Sequence, residues 1–121
     1  IPALIDSGGG AIVSTSSGAG LIPWPRDPVY TITKHGLVGY VRSLADELGS
    51  HGITINAICP GATGQASKHE LPHGVSLLAP EVLAPAMISV ATDRGTGRAA
   101  TVVAGRDPLV QFHRFDGVEG F

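Results

Sequence analysis

The 121-residue sequence predicts an α/β fold built on part of a doubly wound parallel sheet. Three observations carry that prediction. A β-branched run at residues 11–16 follows Gly8-Gly9-Gly10. An apolar stripe at helical spacing runs from Leu37 to Leu48. A second, near-continuous apolar run occupies residues 53–59. In this order they spell strand, loop, long helix, strand, which is a βαβ unit with a right-handed crossover.

Residues 11–16 (Ala-Ile-Val-Ser-Thr-Ser) read as a short buried strand. Pro23, Pro25 and Pro28 forbid a helix through residues 18–28, so that stretch is a loop. Asp27-Pro28 is a helix start: an N-cap carboxylate, then proline at the first helical position. Leu37, Val41, Leu44 and Leu48 follow at spacings of four, three and four, while Arg42, Asp46 and Glu47 lie off that stripe. Gly49 and Gly52 mark the stop, giving a helix over residues 28–48. The strand at 53–59 ends at Pro60-Gly61, and its apolar character suits a sheet covered on both faces. A loop with a helical turn is expected at 64–80, then a helix at 81–92 broken or kinked at Pro85. A third strand is expected at 99–104 and an irregular tail at 105–121.

Composition excludes several function classes. Eight Lys and Arg against ten Asp and Glu give a formal charge of −2, with no basic cluster of the kind a nucleic-acid groove or acidic membrane surface requires. Cys59 is the single cysteine, so no internal disulfide forms, which fits a reducing compartment and a cytoplasmic location. No stretch approaches the roughly 20 apolar residues of a membrane span. Ile1 in place of Met carries the expectation that further residues precede it.

Tyr30 and Lys34 stand four residues apart in the first turns of the long helix, about 40° apart around its axis and so on one face. A tyrosine is a poor base at neutral pH, but a nearby ammonium and the positive end of a helix dipole both favour the phenolate. Such pairs are common on helices, and a packed tyrosine beside a solvated lysine explains most of them. Position argues otherwise here. The first strand delivers Ser17 to its carboxyl end, the helix begins at that edge, and the next strand delivers Pro60-Gly61 there. This is the edge at which open α/β sheets bind ligands.

Three motifs in order, Val13-Ser-Thr-Ser-Ser17-Gly-Ala-Gly20, Tyr30-Thr-Ile-Thr-Lys34 and Ile55-Asn-Ala-Ile-Cys-Pro60-Gly61, resemble the central run of the short-chain dehydrogenases/reductases. The spacing of thirteen between Ser17 and Tyr30 also agrees. The resemblance covers about residues 1–61 and, more loosely, the later helix and strand. It implies a single Rossmann-like domain lacking its N-terminal nucleotide-binding half: core 1–61, substrate-side loop 62–80, and last helix, strand and tail 81–121, with three strands in all. It further implies hydride transfer between NAD or NADP and a small alcohol or carbonyl substrate. Catalysis would fall to Ser17, polarising the substrate oxygen, to Tyr30, passing the proton, and to Lys34, favouring the phenolate and holding the nicotinamide ribose. Tyr30, Lys34, Pro60, Gly61, Ala62 and Thr63 would contact the cofactor. Homo-oligomers paired through the Tyr30 helix are also implied. Gln65 departs from the family's usual threonine, which puts one carboxamide contact in doubt.

Other patterns carry less. Gly18-Ala-Gly20 lacks the third glycine of a dinucleotide fingerprint, because Pro23 stands in its place. Gly95-Thr-Gly97-Arg-Ala-Ala100 precedes a strand instead of following one. His69-Glu-Leu-Pro-His73 spells a zinc-protease motif, but Pro72 breaks the helix that would align the two imidazoles, so no metal site is expected. His35, His51 and His113 lack partner spacing. Cys59 reads as a small buried hydrophobe, Ser14 and Ser16 as locally bonded strand residues, and Trp24 as a packing residue that also has a place lining the crevice. Two competing classes remain: a non-catalytic binding or assembly piece, since no phosphate cradle is in sight, and a zinc hydrolase.

Overall fold

The computed structural model describes residues 1–64 and 74–117. A short helix α1 (Pro2–Asp6) leads into strand β1 (Gly10–Thr15). A 3-10 turn follows at Gly18–Gly20, then the long helix α2 (Pro28–Gly49) and strand β2 (Ile53–Pro60). A second 3-10 turn (Pro80–Val82) opens helix α3 (Leu83–Thr92), and strands β3 (Ala99–Val102) and β4 (Val110–Phe112) complete the order.

The sheet runs β1-β2-β3-β4. β1 pairs with β2 in parallel, Gly10 opposite Ile53 through Thr15 opposite Ile58, and β2 pairs with β3 in parallel, Ala57 opposite Ala99. The βαβ unit and the three parallel strands stand where the pattern places them. Alternation along β2 divides the core: Ile53, Ile55, Ala57 and Cys59 pack beneath α2, and Ile58 lies on the opposite face with Leu78, Ala86 and Val102. This double cover explains why β2 is apolar almost throughout. Ile53, Ile55 and Ile58 are essentially sealed from solvent, each contributing about 2–3 kcal/mol of transfer free energy.

On α2 the deepest line is Val38, Val41, Ala45 and Leu48, with Leu37 and Leu44 half-buried on its flank. The smaller residues take the closest approach to the sheet and the leucines fill its margin. Asp27 caps the helix, its Oδ1 accepting from Tyr30 N at 2.8 Å. At the other end the left-handed position is Gly52 (φ +70°), while Gly49 is still helical.

Three expectations about the later half need correction. Pro85 does not kink α3. It is the third residue of that helix, in the first turn, whose N–H groups have no acceptor within the helix, and Glu81 behind it belongs to the 3-10 turn. The third strand stops at Val102. The tail is not irregular throughout: β4 pairs antiparallel with β3, Val110 opposite Val102, so the sheet has a fourth strand beyond the three parallel ones. Past β4, His113 N donates to Ala99 O at 2.8 Å, and Phe115 packs on the α2 side beneath the Arg42 guanidinium, 3.9 Å from the ring centroid. In the 64–80 loop, Thr63 and Leu78 form an isolated bridge. Gln65, His69 and His73 lie outside the described residues, and so does the zinc-protease pattern.

One buried polar side chain sits within β2. Asn56 is solvent-inaccessible, its Nδ2 donating to Gly95 O at 2.8 Å while its Oδ1 accepts from Arg98 N at 3.0 Å. Thr96 Oγ1 accepts from Ile55 N at 3.0 Å. These bonds anchor the turn entering β3, where Gly97 has φ +71°. The Gly95/Gly97 pattern is therefore a stitched turn before a strand, as its sequence order indicates.

Candidate active site

β1 ends at Thr15, and the chain turns at once into the 3-10 turn under the start of α2. Ser16 is buried, and its Oγ donates to Lys34 O at 2.9 Å. The bond of Ser16 is thus structural, though it spans eighteen residues instead of closing locally. A side chain at Gly20 would meet Ser16 Oγ and approach Lys34 O to 2.7 Å. Only glycine lets the turn seat against the helix this closely. Ser17 is extended (φ −164°, ψ 163°), and its Oγ accepts from Ala19 N at 3.2 Å, so the hydroxyl proton remains available to another acceptor.

A cavity of about 670 Å³ opens at this end of the sheet, within the usual range for small-molecule sites. Ser17, Tyr30, Pro60, Gly61, Ala62 and Thr63 all line it. The carboxyl ends of β1 and β2 and the first turn of α2 thus meet in one crevice. Tyr30 is 39% exposed, open to a ligand. Lys34 lies outside the lining, beside Tyr30. Its Nζ donates to Thr15 O at 3.1 Å and sits over the Tyr30 ring, 5.4 Å from the centroid. One strand-end carbonyl and one aromatic face therefore hold the ammonium next to the phenol.

The same cavity has a wall that motif reading did not assign. Ile22, Arg26, Asp27 and Val75 join Trp24 along it. The available signal was a negative one: large apolar residues in a proline-rich loop between Ser17 and Tyr30 have no strand or helix to pack into. Cys59 is fully buried, and burial pushes its thiol pKa up against the opposing pull of the Ser16 side chain, the Ser17 backbone and the Lys34 charge. It is a packing residue. His35 Nδ1 lies 3.1 Å from Thr31 O, and His113 stacks edge-on against Phe115. No group of three or more potential metal ligands occurs among the described residues, and no helix among them is long and apolar enough to cross a membrane.

A mostly parallel sheet covered by helices on both faces, with a cavity where two strand ends and a helix N-terminus converge, fits a partial doubly wound α/β fold with its crevice at the edge where such sheets bind ligands. The chain belongs to the short-chain dehydrogenase family, whose sequence model matches residues 1–75. It is 54% identical over 56 residues to an uncharacterized oxidoreductase of Thermotoga maritima, covering 46% of this chain and 22% of that protein. It is 50% identical over 60 residues to human 15-hydroxyprostaglandin dehydrogenase (NAD+), covering 48% and 23% respectively. Its fold is similar to the crystal structure of acetoin dehydrogenase from Salmonella typhimurium, with a TM-score of 0.69 and 25% identity over 82% of this chain and 45% of that one. The chain spans about a quarter of the length of the curated relatives it matches.

Proposed function

We propose that the protein containing this chain is an NAD- or NADP-dependent oxidoreductase that interconverts an alcohol and a carbonyl compound, with Tyr30 as proton donor and acceptor. One observation carries this reading: Ser17, Tyr30 and the Pro60–Thr63 turn line a single cavity, with the Lys34 ammonium held against the Tyr30 ring.

The donor set fits the nicotinamide half of such a cofactor. Lys34 spends one of its three N–H donors on Thr15 O, leaving two that suit the vicinal hydroxyls of a ribose. Pro60, Gly61, Ala62 and Thr63 border the cavity beside Tyr30 and would face the nicotinamide ring, and Lys34, next to the Tyr30 ring, would reach its ribose. When bound, the cofactor supplies or accepts the hydride at the substrate carbon. In the reducing direction the Tyr30 hydroxyl gives its proton to the carbonyl oxygen, and in the oxidising direction its oxygen takes the proton from the alcohol. Ser17 Oγ, already accepting from Ala19 N, donates a hydrogen bond to the same substrate oxygen, keeps its proton and polarises the carbonyl.

Replacing Tyr30 with Phe in the full-length protein removes only the hydroxyl. We expect turnover to fall by at least about a hundredfold, the scale of a lost general acid, with dinucleotide affinity changed little. A Tyr30→Phe enzyme of full activity would sink the reading.

A second reading, a binding or assembly piece, has the unpaired edge of β1 in its favour. That strand pairs only with β2 among the described residues and is half-exposed along its length.

A further inference from the structure

One part of the cavity lining differs in chemistry from the Pro60–Thr63 turn. Ile22, Trp24 and Val75 line it. Ile22 is 59% exposed and Val75 42% exposed, although both are large apolar side chains, and neither belongs to the two apolar clusters of the core. Exposed apolar groups that converge on one cavity mark a surface built to be covered.

The loop that presents Ile22 and Trp24 is tied to α2. Pro23 and Pro25 flank Trp24 and restrict its backbone. Trp24 O accepts from Asp27 N at 3.1 Å and from Thr31 Oγ1 at 3.3 Å, which ties the indole-bearing residue to the first turn of α2. That turn also carries Tyr30, so Trp24 and the proton-transfer group are both fastened to the start of one helix. The charges on the lining are one Arg26 and one Asp27. They cancel in sum, and the Asp27 carboxylate is engaged in capping Tyr30 N.

We propose that Trp24, with Ile22 and Val75, is the specificity-determining surface of this site, selecting an uncharged secondary alcohol or ketone that carries an extended apolar group. The inference rests on the oxidoreductase reading above and names the substrate class of that same site. The apolar group lies along Trp24 while the oxygen faces Ser17 and Tyr30. Selectivity comes from area removed from water and not from a directional bond.

The test is a homologous series of 2-alkanols and 2-alkanones from four to ten carbons, with ω-carboxylate counterparts, assayed with the full-length enzyme and its dinucleotide. For the wild type, kcat/KM should rise by about threefold to fourfold per added methylene until the wall is covered, and each carboxylate counterpart should be poorer than its neutral partner. Trp24→Ala should flatten that slope, losing most on the longest substrates, while Trp24→Phe should keep the greater part of it. A wild-type enzyme that turns over the short substrates with no dependence on length overturns the substrate class. So does an unchanged slope in Trp24→Ala, and so does a preference for the carboxylates, which would shift recognition to Arg26. Failure of the wild type to oxidise or reduce any alcohol or carbonyl compound would count against the oxidoreductase reading itself.

Discussion

At the residue scale, the tip of β1 shows how little room the site leaves for substitution. Ser16, Gly20 and Lys34 meet around one backbone carbonyl, and the neighbouring Cys59 is packed beneath them with its thiol pushed toward the neutral form. Because the folded state raises this pKa, it holds the thiol proton more tightly than the unfolded chain does. The associated stability is fully present below the ordinary thiol range and is lost as pH rises through the higher, folded value. Urea unfolding of the full-length protein from pH 7 to pH 10.5 should therefore show the wild type losing stability relative to Cys59→Ala above about pH 9. Two curves that stay parallel would mean that the thiol does not titrate with unfolding. Tyr30, Lys34 and Ser17 were all legible as candidates, because the chemistry needs a phenol, an amine and a hydroxyl, and few residue types can supply them. Trp24's partners on the wall, Ile22 and Val75, carry no such chemical label. Their role appears only once the loop is placed.

At the element scale, α2 does most of the positioning. Asp27 holds its first turn through the Tyr30 amide, and the ionised carboxylate also suits the positive end of the helix. Asp27→Ala should cost about 1 kcal/mol, and Asp27→Asn a small fraction of that. Thermal or urea midpoints of the two variants check the order, and an alanine variant as stable as wild type would remove the cap from the account. This helix was readable because cap, Pro28 and apolar stripe agree at every level. Strand β4 was not readable. Three residues, Val110-Gln-Phe112, are too few to display alternation, and their strand geometry is imposed by the open edge of β3. Pro85 misled for a related reason: a proline disrupts a helix interior and is harmless in a first turn, and only the observed boundary at Leu83 separates the two cases.

At the scale of the whole molecule, the sheet formed by the described residues ends at the short antiparallel β4 on one side and at β1 on the other. β1 offers a row of main-chain donors and acceptors that, among the described residues, only β2 meets on its inner side. An edge of that kind recruits other chains. Among the described residues, no strand is followed by a glycine-rich turn and a helix N-terminus of the type that cradles a pyrophosphate. The 121-residue chain on its own should therefore self-associate, and it should bind NADH and NADPH more weakly than micromolar. Light scattering and calorimetric titration check the two halves of this expectation, and micromolar binding by the isolated chain would contradict it.

From the order of residues alone came the βαβ unit, the long capped helix and the candidate residues Ser17, Tyr30 and Lys34. Each of these is signalled within a few turns of chain by caps, prolines and apolar period. Tertiary structure alone decided the fourth strand and the burial of Asn56 on its two backbone partners. It also decided the place of Lys34 outside the cavity lining and the meeting of Trp24 with Ile22 and Val75 at one cavity. Those features depend on contacts between segments far apart in the chain, and a local pattern has no means of recording which distant surface it will meet.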